Sequence, residues 1–248
     1  LKFDPGPQFK EHLTFDNYDR LNNIENVEEH MQFQQKAIKI TREKLSKDKS
    51  LIGFVGGFWT VMRFAIGQNK EQKTFQKFYP EYLENTLYEA LKINIKLQLD
   101  AGAEIVMMFD SGIQDLDNNF FQQEYTKLLT SIANLYPSKI GYYVRGKQFN
   151  DIKHLLELPF AGIGIDSSMN LKNLFTDFKQ GFIQGNFDEK KLLLDTQNLT
   201  EELDKFSDNF NSFENLNGWV CGLGHGINKN TPEKNVHLFI ETIRKKFK

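Results

Sequence analysis

One histidine of this chain lies where a ligand could reach it. His225 stands between Gly224 and Gly226, directly after the short apolar run 218–223, and Thr231-Pro-Glu233 further on is typical of the start of a helix. Glycine on both sides lets the backbone turn sharply and leaves the imidazole uncrowded, so a ligand can approach it closely. The alternative is an ordinary strand-to-helix turn whose histidine only caps a local group, and a motif this short does not decide between the two.

Charged side chains follow other apolar runs in the same way. Arg145 comes after the run 139–144, and its forked donors suit a carboxylate, although a solvated charge at a rim would contribute little. Asp110 and Asp166 could be read as an acid/base pair. An aspartate before a helix is more typical of a helix cap, so we predict that both cap the helices that follow them or hold barrel loops. Arg63 follows the first strand loop and could face the site, but we predict an exposed helix position for it.

The elements that must position these residues are six short apolar runs that alternate with helical segments. The runs are 51–55, 103–109, 139–144, 161–165, 181–184 and 218–223. Helices are predicted at 27–47, 58–66, a long stretch broken at Pro80 that resumes to about Leu99, 118–135, 148–157, 170–178, and from near Asp188 and after Thr231. This alternation indicates βα units and a parallel sheet covered on both faces.

The polar residues gather at one end of the predicted strands. Each run ends on its C-terminal side in Gly, Ser, Asp, Arg or His, as in an α/β fold of the (β/α)8 TIM-barrel type, whose site is built from the loops after the strands. A doubly wound open sheet shows the same alternation and stays an alternative. No Gly-x-Gly-x-x-Gly follows the first run, so the dinucleotide-binding fingerprint is absent.

Six strands do not close an eight-stranded barrel. An open barrel exposes two edge strands and an unfilled interior. We therefore expect about two βα units before Leu1, with residues 1–248 forming one barrel domain that makes up the C-terminal three-quarters of the full protein. Residues 1 to about 25, rich in turn formers, are predicted to be an irregular loop.

Composition narrows the class of partner. The 248 residues carry a net charge of −2, which gives no sign of a nucleic-acid or membrane-surface partner. A single cysteine, Cys221, excludes an internal disulfide and a multi-cysteine metal site and is typical of a reducing cytoplasm. No apolar run is long enough to span a membrane. The remaining histidines lack metal-ligand spacing and are predicted to lie at the surface: His12, His30, His154 and His237.

Five motifs at the strand ends, taken together, carry a resemblance to a known family. They are Gly53-Phe-Val-Gly-Gly-Phe-Trp-Thr60, Phe109-Asp-Ser111, Gly164-Ile-Asp166, Gln184-Gly-Asn186 and Gly222-Leu-Gly-His-Gly226 with Thr231-Pro-Glu-Lys-Asn235. Their order, spacing and placement resemble the uroporphyrinogen decarboxylase family over essentially the whole chain. The opening Phe3-Asp-Pro-Gly-Pro7 also looks like the loop that follows the second strand of that family.

The resemblance implies a cytoplasmic, cofactor-free (β/α)8 barrel, usually a homodimer. Its members remove CO2 from the four acetate side chains of uroporphyrinogen, a tetrapyrrole, to give coproporphyrinogen. Protonation of a pyrrole carbon creates a cationic electron sink, which a carboxylate facing the pyrrole N–H groups stabilises in a water-poor cleft. In the family that carboxylate and several substrate-binding arginines lie in the first two strand loops, so the catalytic residue is expected before Leu1 and is unknown here.

Some substrate-binding positions of the family do map onto this chain. His225 matches the Gly-His-Gly histidine and Ser111 the small hydroxyl residue after the fourth strand, and both are expected to bind substrate carboxylates. Arg145 stands where the family often has lysine. Phe64 is a departure, because the family has tyrosine there and phenylalanine lacks the hydroxyl donor. Two smaller departures are Phe58 for a proline and Ser167 for a tryptophan.

Two other functions stay open beside the decarboxylase. A non-catalytic or impaired relative that binds a tetrapyrrole is suggested by Phe64 and by the absent carboxylate. Zinc-dependent methyltransferases that act on corrinoid-bound methyl groups share the superfamily, but they need a thiolate-rich site. Cys221 lies inside a predicted strand and away from any His-x-Cys pair, which disfavours that class, so no metal site is predicted.

Overall fold

A computed structural model describes residues 2–3, 7–8, 11–17, 26–67, 82, 85–177, 180–211, 213 and 216–247. Two short strands near the N-terminus, β1 (Lys2–Phe3) and β2 (Pro7–Gln8), pair antiparallel. The remaining strands form one parallel sheet in chain order, with every predicted strand present: β3 (Ile52–Gly56), β4 (Ile105–Asp110), β5 (Ile140–Val144), β6 (Gly162–Ile165), β7 (Phe182–Phe187) and β8 (Trp219–Leu223).

Helices separate these strands, as the sequence predicted. They are α1 (Val27–Lys44), α2 (Phe58–Ile66), α3 (Tyr88–Asp100), α4 (Asn118–Phe120), α5 (Thr126–Leu135), α6 (Phe149–Ile152), α7 (Leu171–Asp177), α8 (Thr196–Asp208) and α9 (Glu233–Lys246). A π turn, Phe121–Tyr125, joins α4 to α5, and α6 runs on into a 3₁₀ turn, Lys153–Glu157. The predicted helical break at Pro80 and most of the predicted loop before residue 26 lie outside the described residues.

The segment after β7 differs from the prediction of one helix starting near Asp188. The Asp188 carboxylate accepts the Lys190 N–H at 3.0 Å and supports only a 3₁₀ turn, Glu189–Leu193. The chain is extended at Leu194, and Asp195 then caps α8 by accepting the Asn198 N–H at 3.0 Å. Two aspartates that each satisfy local backbone donors therefore divide the predicted helix in two.

The main core lies between the sheet and the helices. Alternate strand residues such as Val55, Val106, Ile140 and Ile163 are buried there, because side chains on a strand point to opposite faces in turn. The other face of the sheet is lined by a second row of side chains. On this inner face Met107 and Phe182 lie over Gly141 and Gly162, where an added Cβ would come within 2.0 and 2.5 Å of their side-chain atoms.

The two outer strands have exposed inner faces. Strands β3 and β8 each pair with one neighbour in the described sheet. Phe54 of β3 is 67% exposed and Val220 of β8 is 38% exposed, as expected for the edges of an open barrel. The buried amide of Gln98 covers part of the β3 edge, since it accepts the Phe54 N–H and donates to the Phe54 carbonyl, both at 2.9 Å. None of the described helices has both the length and the apolar character that a bilayer span requires.

Candidate active site at the carboxyl ends of the strands

A cavity of about 410 Å³ lies at the carboxyl ends of the parallel strands; we call it the mouth cavity. Its lining comes from five strands and from the turns after β4 and β8: Phe109, Ser111, Tyr143, Ile165, Gln184, Leu223, His225 and Gly226. Parallel strands bring the residues that follow them to one edge, so Ser111 and His225 share this cavity although they are distant in the chain. Phe109, Ile165 and Leu223 give it an apolar wall.

A smaller cavity of about 220 Å³, the side cavity, adjoins the mouth cavity at Ser111. Its lining comes from α2 and from the turn after β4: Thr60, Arg63, Phe64, Ser111, Gly112 and Gln114. Phe64 is 38% exposed, so the position that departs from the family tyrosine does face open space. Three of the predicted binding residues, His225, Ser111 and Phe64, thus surround two adjoining cavities.

Asp110, one residue before Ser111, anchors this wall. It is fully buried, and its carboxylate accepts the Thr60 N–H at 2.9 Å, the Thr60 hydroxyl at 2.7 Å, and hydrogen bonds from the hydroxyls of Tyr125 and Tyr142. Burial raises the pKa of Asp110, and the hydrogen bonds from Tyr125 and Thr60 oppose that shift. Burial, with a further contribution from Asp110, also raises the pKa of both tyrosines well above the usual value.

Asp110 caps a helix of the preceding βα unit, whereas the sequence predicted a cap for the helix that follows it; its side chain makes no capping hydrogen bond to the turn Ser111–Asp115. Helix α2 begins after Gly57, which has no side chain to satisfy the free N–H groups, and Asp110 takes the N–H of Thr60 in its place. An added Cβ on Gly57 would lie 2.4 Å from the Asp110 Cγ, so only glycine permits this approach. The Gly57 N–H also donates to the Phe109 carbonyl at 2.7 Å. Strand β4 and helix α2 are therefore fixed to each other beside Ser111.

The turn that carries His225 is held mainly through Gly224. The Gly224 N–H donates to the Phe187 carbonyl at 2.7 Å, and the Tyr143 hydroxyl donates to the Gly224 carbonyl at 2.6 Å. A Cβ on Gly224 would lie 2.5 Å from the Ser167 backbone nitrogen, whereas a Cβ on Gly226 would meet nothing within 4 Å. The close approach of this turn to the Ser167 backbone therefore requires glycine at position 224 but not at position 226. The side chain of His225 is exposed.

Arg145 lies half-buried at the end of β5, next to the mouth rather than in it. It is absent from the residues that line the mouth and side cavities, and it lowers the pKa of Tyr143, although burial and Asp166 raise that pKa overall. Its carboxylate-binding role stays a prediction. Asp166 holds the neighbouring loops, as predicted, by accepting the Gly146 N–H at 2.6 Å and the Ser168 N–H at 2.9 Å.

Two predictions about single residues were wrong. Arg63 does not occupy an exposed helix position: it lines the side cavity, pairs with Asp115, and keeps only 20% of its side chain exposed. His154 is half-buried rather than a surface residue, since its Nε2 lies 2.8 Å from the Thr126 hydroxyl, and burial lowers its pKa. Neighbours from other elements cover both side chains, which helical periodicity alone does not reveal.

Two polar side chains that line the mouth cavity were not among the predicted site residues. Tyr143 and Gln184 lie on the inner face of β5 and β7, each within a few residues of a strand end. Successive side chains on a strand point to opposite faces, so Tyr143 could have been expected on the same face as Arg145, two residues further on. For Gln184 the signal is its place as the first residue of the Gln-Gly-Asn motif.

Among the described residues, no group of three or more His, Cys, Asp or Glu side chains lies close enough together to hold a metal ion. Cys221 is half-buried, and burial raises its pKa to about 12. A thiol with such a pKa is protonated at neutral pH when no metal ion is bound to it.

The opposite end of the sheet carries a larger cavity of about 620 Å³, lined by residues that include Ile52, Glu104, Phe160, Phe182 and Val220. Glu104 is the one ionisable residue among its described lining. A carboxylate there would repel an anionic ligand, and the cavity holds none of the candidate residues. Size alone therefore does not select the functional end.

Sequence comparison identifies the family. The profile described as Uroporphyrinogen decarboxylase (URO-D) matches residues 1–246. This chain belongs to the uroporphyrinogen decarboxylase family. A uroporphyrinogen decarboxylase of Orientia tsutsugamushi (strain Ikeda) is 31% identical over 224 residues, which cover 84% of this chain and 64% of that protein. One of Campylobacter fetus subsp. fetus (strain 82-40) is 29% identical over 262 residues, which cover 99% of this chain and 74% of that protein. The chain thus spans less than two thirds of the first of these relatives.

Solved structures support the barrel-like fold. A methyltransferase from Methanosarcina mazei superposes with a TM-score of 0.63 at 20% identity, covering 85% of this chain and 63% of that one. A B12-independent methionine synthase from Shewanella sp. W3-18-1 gives a TM-score of 0.60 at 10% identity, covering 85% and 64%. At such identities these likenesses concern the fold alone. The six parallel strands in chain order, with alternating helices, are the arrangement of consecutive units of such a barrel.

Proposed function

We propose that this chain forms part of an enzyme that removes the carboxyl groups of the four acetate side chains of uroporphyrinogen to give coproporphyrinogen. The observation that carries the proposal is the shared cavity of Ser111 and His225 at the carboxyl ends of the strands, in a chain of this family. A hydroxyl and an imidazole are suitable donors to the carboxylates of such a substrate.

In this scheme the described residues bind and orient the tetrapyrrole. His225 and Ser111 donate hydrogen bonds to side-chain carboxylates, and Arg145 at the rim pairs with another. Phe109 and Leu223 give the mouth cavity apolar walls, which lower the local dielectric and strengthen those contacts. The carboxylate expected to face the pyrrole N–H groups belongs to family positions that this sequence does not contain. We also propose that the enzyme acts as a homodimer, as its family usually does.

A specific observation keeps an impaired relative as the second candidate. Phe64 faces the side cavity without the hydroxyl of the family tyrosine. A charge-assisted hydrogen bond contributes about 1.5 to 3 kcal/mol, so its loss reduces the rate by roughly tenfold or more if that hydroxyl orients or protonates the substrate.

The test is an anaerobic assay of the natural protein that contains this sequence, with uroporphyrinogen as substrate and chromatography of the oxidised products. We expect coproporphyrinogen to form, and Phe64→Tyr to raise the rate about tenfold. Phe33→Tyr, at an exposed position on α1, is the matched control that adds a hydroxyl away from the site. Absence of product from both the natural protein and Phe64→Tyr, with porphyrin binding retained, would establish the non-catalytic relative instead.

A further inference from the structure

We propose that Arg63 binds one carboxylate of the substrate in the side cavity, together with Ser111 and Gln114. The identity of the ligand rests on the proposed function, whereas the anion-binding character of the cavity rests on its lining. Arg63 would act as a specificity-determining residue on the wall where Phe64 offers no hydroxyl.

The lining of the side cavity favours an anion. Arg63, Ser111 and Gln114 all carry hydrogen-bond donors, and of the described residues that line the cavity none is acidic. The Thr60 hydroxyl is already committed, because it donates to Asp110 at 2.7 Å and accepts the Gly112 N–H at 2.9 Å. A cation, a hydroxyl and an amide are therefore the groups that face a ligand there.

The Arg63 side chain passes close to Gly112. A Cβ on Gly112 would lie 3.2 Å from the Thr60 hydroxyl oxygen, a tight contact, and 3.4 Å from the Arg63 Cδ, at the limit of ordinary van der Waals contact. The Arg63 Nη1 lies 3.5 Å from the Gly112 carbonyl and pairs with the Asp115 carboxylate. These contacts direct the guanidinium across the turn that carries Ser111.

The ion pair with Asp115 does not remove the attraction for a ligand. The Asp115 side chain is 51% exposed, and solvated ion pairs contribute only about 0 to 1 kcal/mol. A second carboxylate in the side cavity would meet a guanidinium that is mostly withdrawn from water, where a forked contact is stronger. Asp115 then orients Arg63 beside the side cavity.

The sizes of the two cavities suit one ligand that enters both. The side cavity, at about 220 Å³, suits an acidic side chain rather than a ring system, and it adjoins the mouth cavity of about 410 Å³ through Ser111. A tetrapyrrole with several carboxylate arms could therefore place one arm against Arg63 and another near His225. Such a two-point contact favours the substrate with more carboxylates over the product with fewer.

Binding measurements on the natural protein test this role. The probes are uroporphyrin, with eight carboxylates, and coproporphyrin, with four, followed by porphyrin fluorescence. We expect Arg63→Gln to weaken uroporphyrin binding about tenfold or more and to reduce the preference over coproporphyrin, and Arg63→Lys to lie between the two. Arg244→Gln, at an exposed position on α9, is the matched control and should bind as the natural protein does. Equal binding by Arg63→Gln and the natural protein would overturn the inference and leave the proposed function intact.

A second measurement separates the failure of the inference from the failure of the function. Titration with glutarate, a simple dicarboxylate, is followed at the Arg63 side-chain N–H resonances by NMR. A saturable shift at Arg63 that is absent at Arg244 supports the anion site, even in a protein that forms no coproporphyrinogen. No shift at Arg63, or equal shifts at both arginines, overturns it, even in an active decarboxylase.

Discussion

The two sides of the mouth cavity hold Ser111 and His225 by different means. On the β4 side, Ser111 follows Asp110, whose buried carboxylate accepts hydrogen bonds from Thr60, Tyr125 and Tyr142. On the β8 side, His225 is exposed, and the turn is held by backbone hydrogen bonds of Gly224. The first side depends on a buried side-chain network and the second on the close approach of two backbones. Substitutions on the β4 side should therefore affect stability first, and those at His225 should affect binding first.

The largest effect is expected at Asp110. Asp110→Ala leaves the Tyr125 and Tyr142 hydroxyls and the Thr60 N–H without their buried acceptor, and should lower the free energy of unfolding by roughly 3 to 5 kcal/mol. Asp110→Asn keeps the shape and one acceptor oxygen and should cost about half as much. Urea denaturation measures both, and a loss below about 1 kcal/mol in Asp110→Ala would show that the network does not anchor this wall.

The opposite behaviour is expected at His225. Because the imidazole is exposed, His225→Ala should leave the unfolding free energy within about 0.5 kcal/mol of the natural value. Loss of a hydrogen bond to a carboxylate should weaken uroporphyrin binding by roughly 10- to 150-fold. His237→Ala, at another exposed histidine on α9, is the control. Unchanged affinity and rate in His225→Ala would remove this residue from the site.

The two glycines beside His225 allow a tightly packed position and an open position to be compared within one turn. Gly224→Ala places a Cβ against the Ser167 backbone and should cost about 1 to 3 kcal/mol, with a displaced His225 and weaker porphyrin binding. Gly226→Ala meets open space and should stay within about 0.5 kcal/mol. Equal losses in the two variants, measured by urea denaturation, would contradict the close approach as the reason for glycine.

The smallest effect on stability at neutral pH is expected from the ionisation of Cys221, on the β8 side. Since burial raises its pKa to about 12, the thiol should react with iodoacetamide at pH 8 roughly a thousandfold more slowly than an ordinary cysteine of pKa near 8.5. The unfolded chain releases this proton above about pH 8.5 and the folded chain holds it up to about pH 12, so the thiol favours unfolding increasingly across that window. The stability of the natural protein should therefore fall more steeply with pH than that of Cys221→Ala. Alkylation as fast as that of an ordinary cysteine would contradict the raised pKa and would make a thiolate function of Cys221 possible again.

Much of the fold followed from the sequence, because a strand buried on both faces is a short apolar run that ends where polar residues begin. All six strands of the sheet, and the gathering of Ser111 and His225 at one end of it, follow from that rule and from the common direction of parallel strands. The sequence did not predict that the helix near Asp188 would be divided in two. Asp188 and Asp195 each satisfy local backbone N–H groups, and the chain is extended at Leu194 between them, which helical periodicity does not reveal.

The sequence by itself thus determined the order of the βα units and the end of the sheet at which Ser111 and His225 come together. The tertiary structure alone decided that Asp110 caps α2 across units, that glycine is required at 224 and not at 226, and that Arg63 lines a cavity. The physical reason is that each of these depends on the distance to a neighbour from another element. Local periodicity and spacing describe the strand or helix a residue belongs to, but not the atoms that another unit places against it.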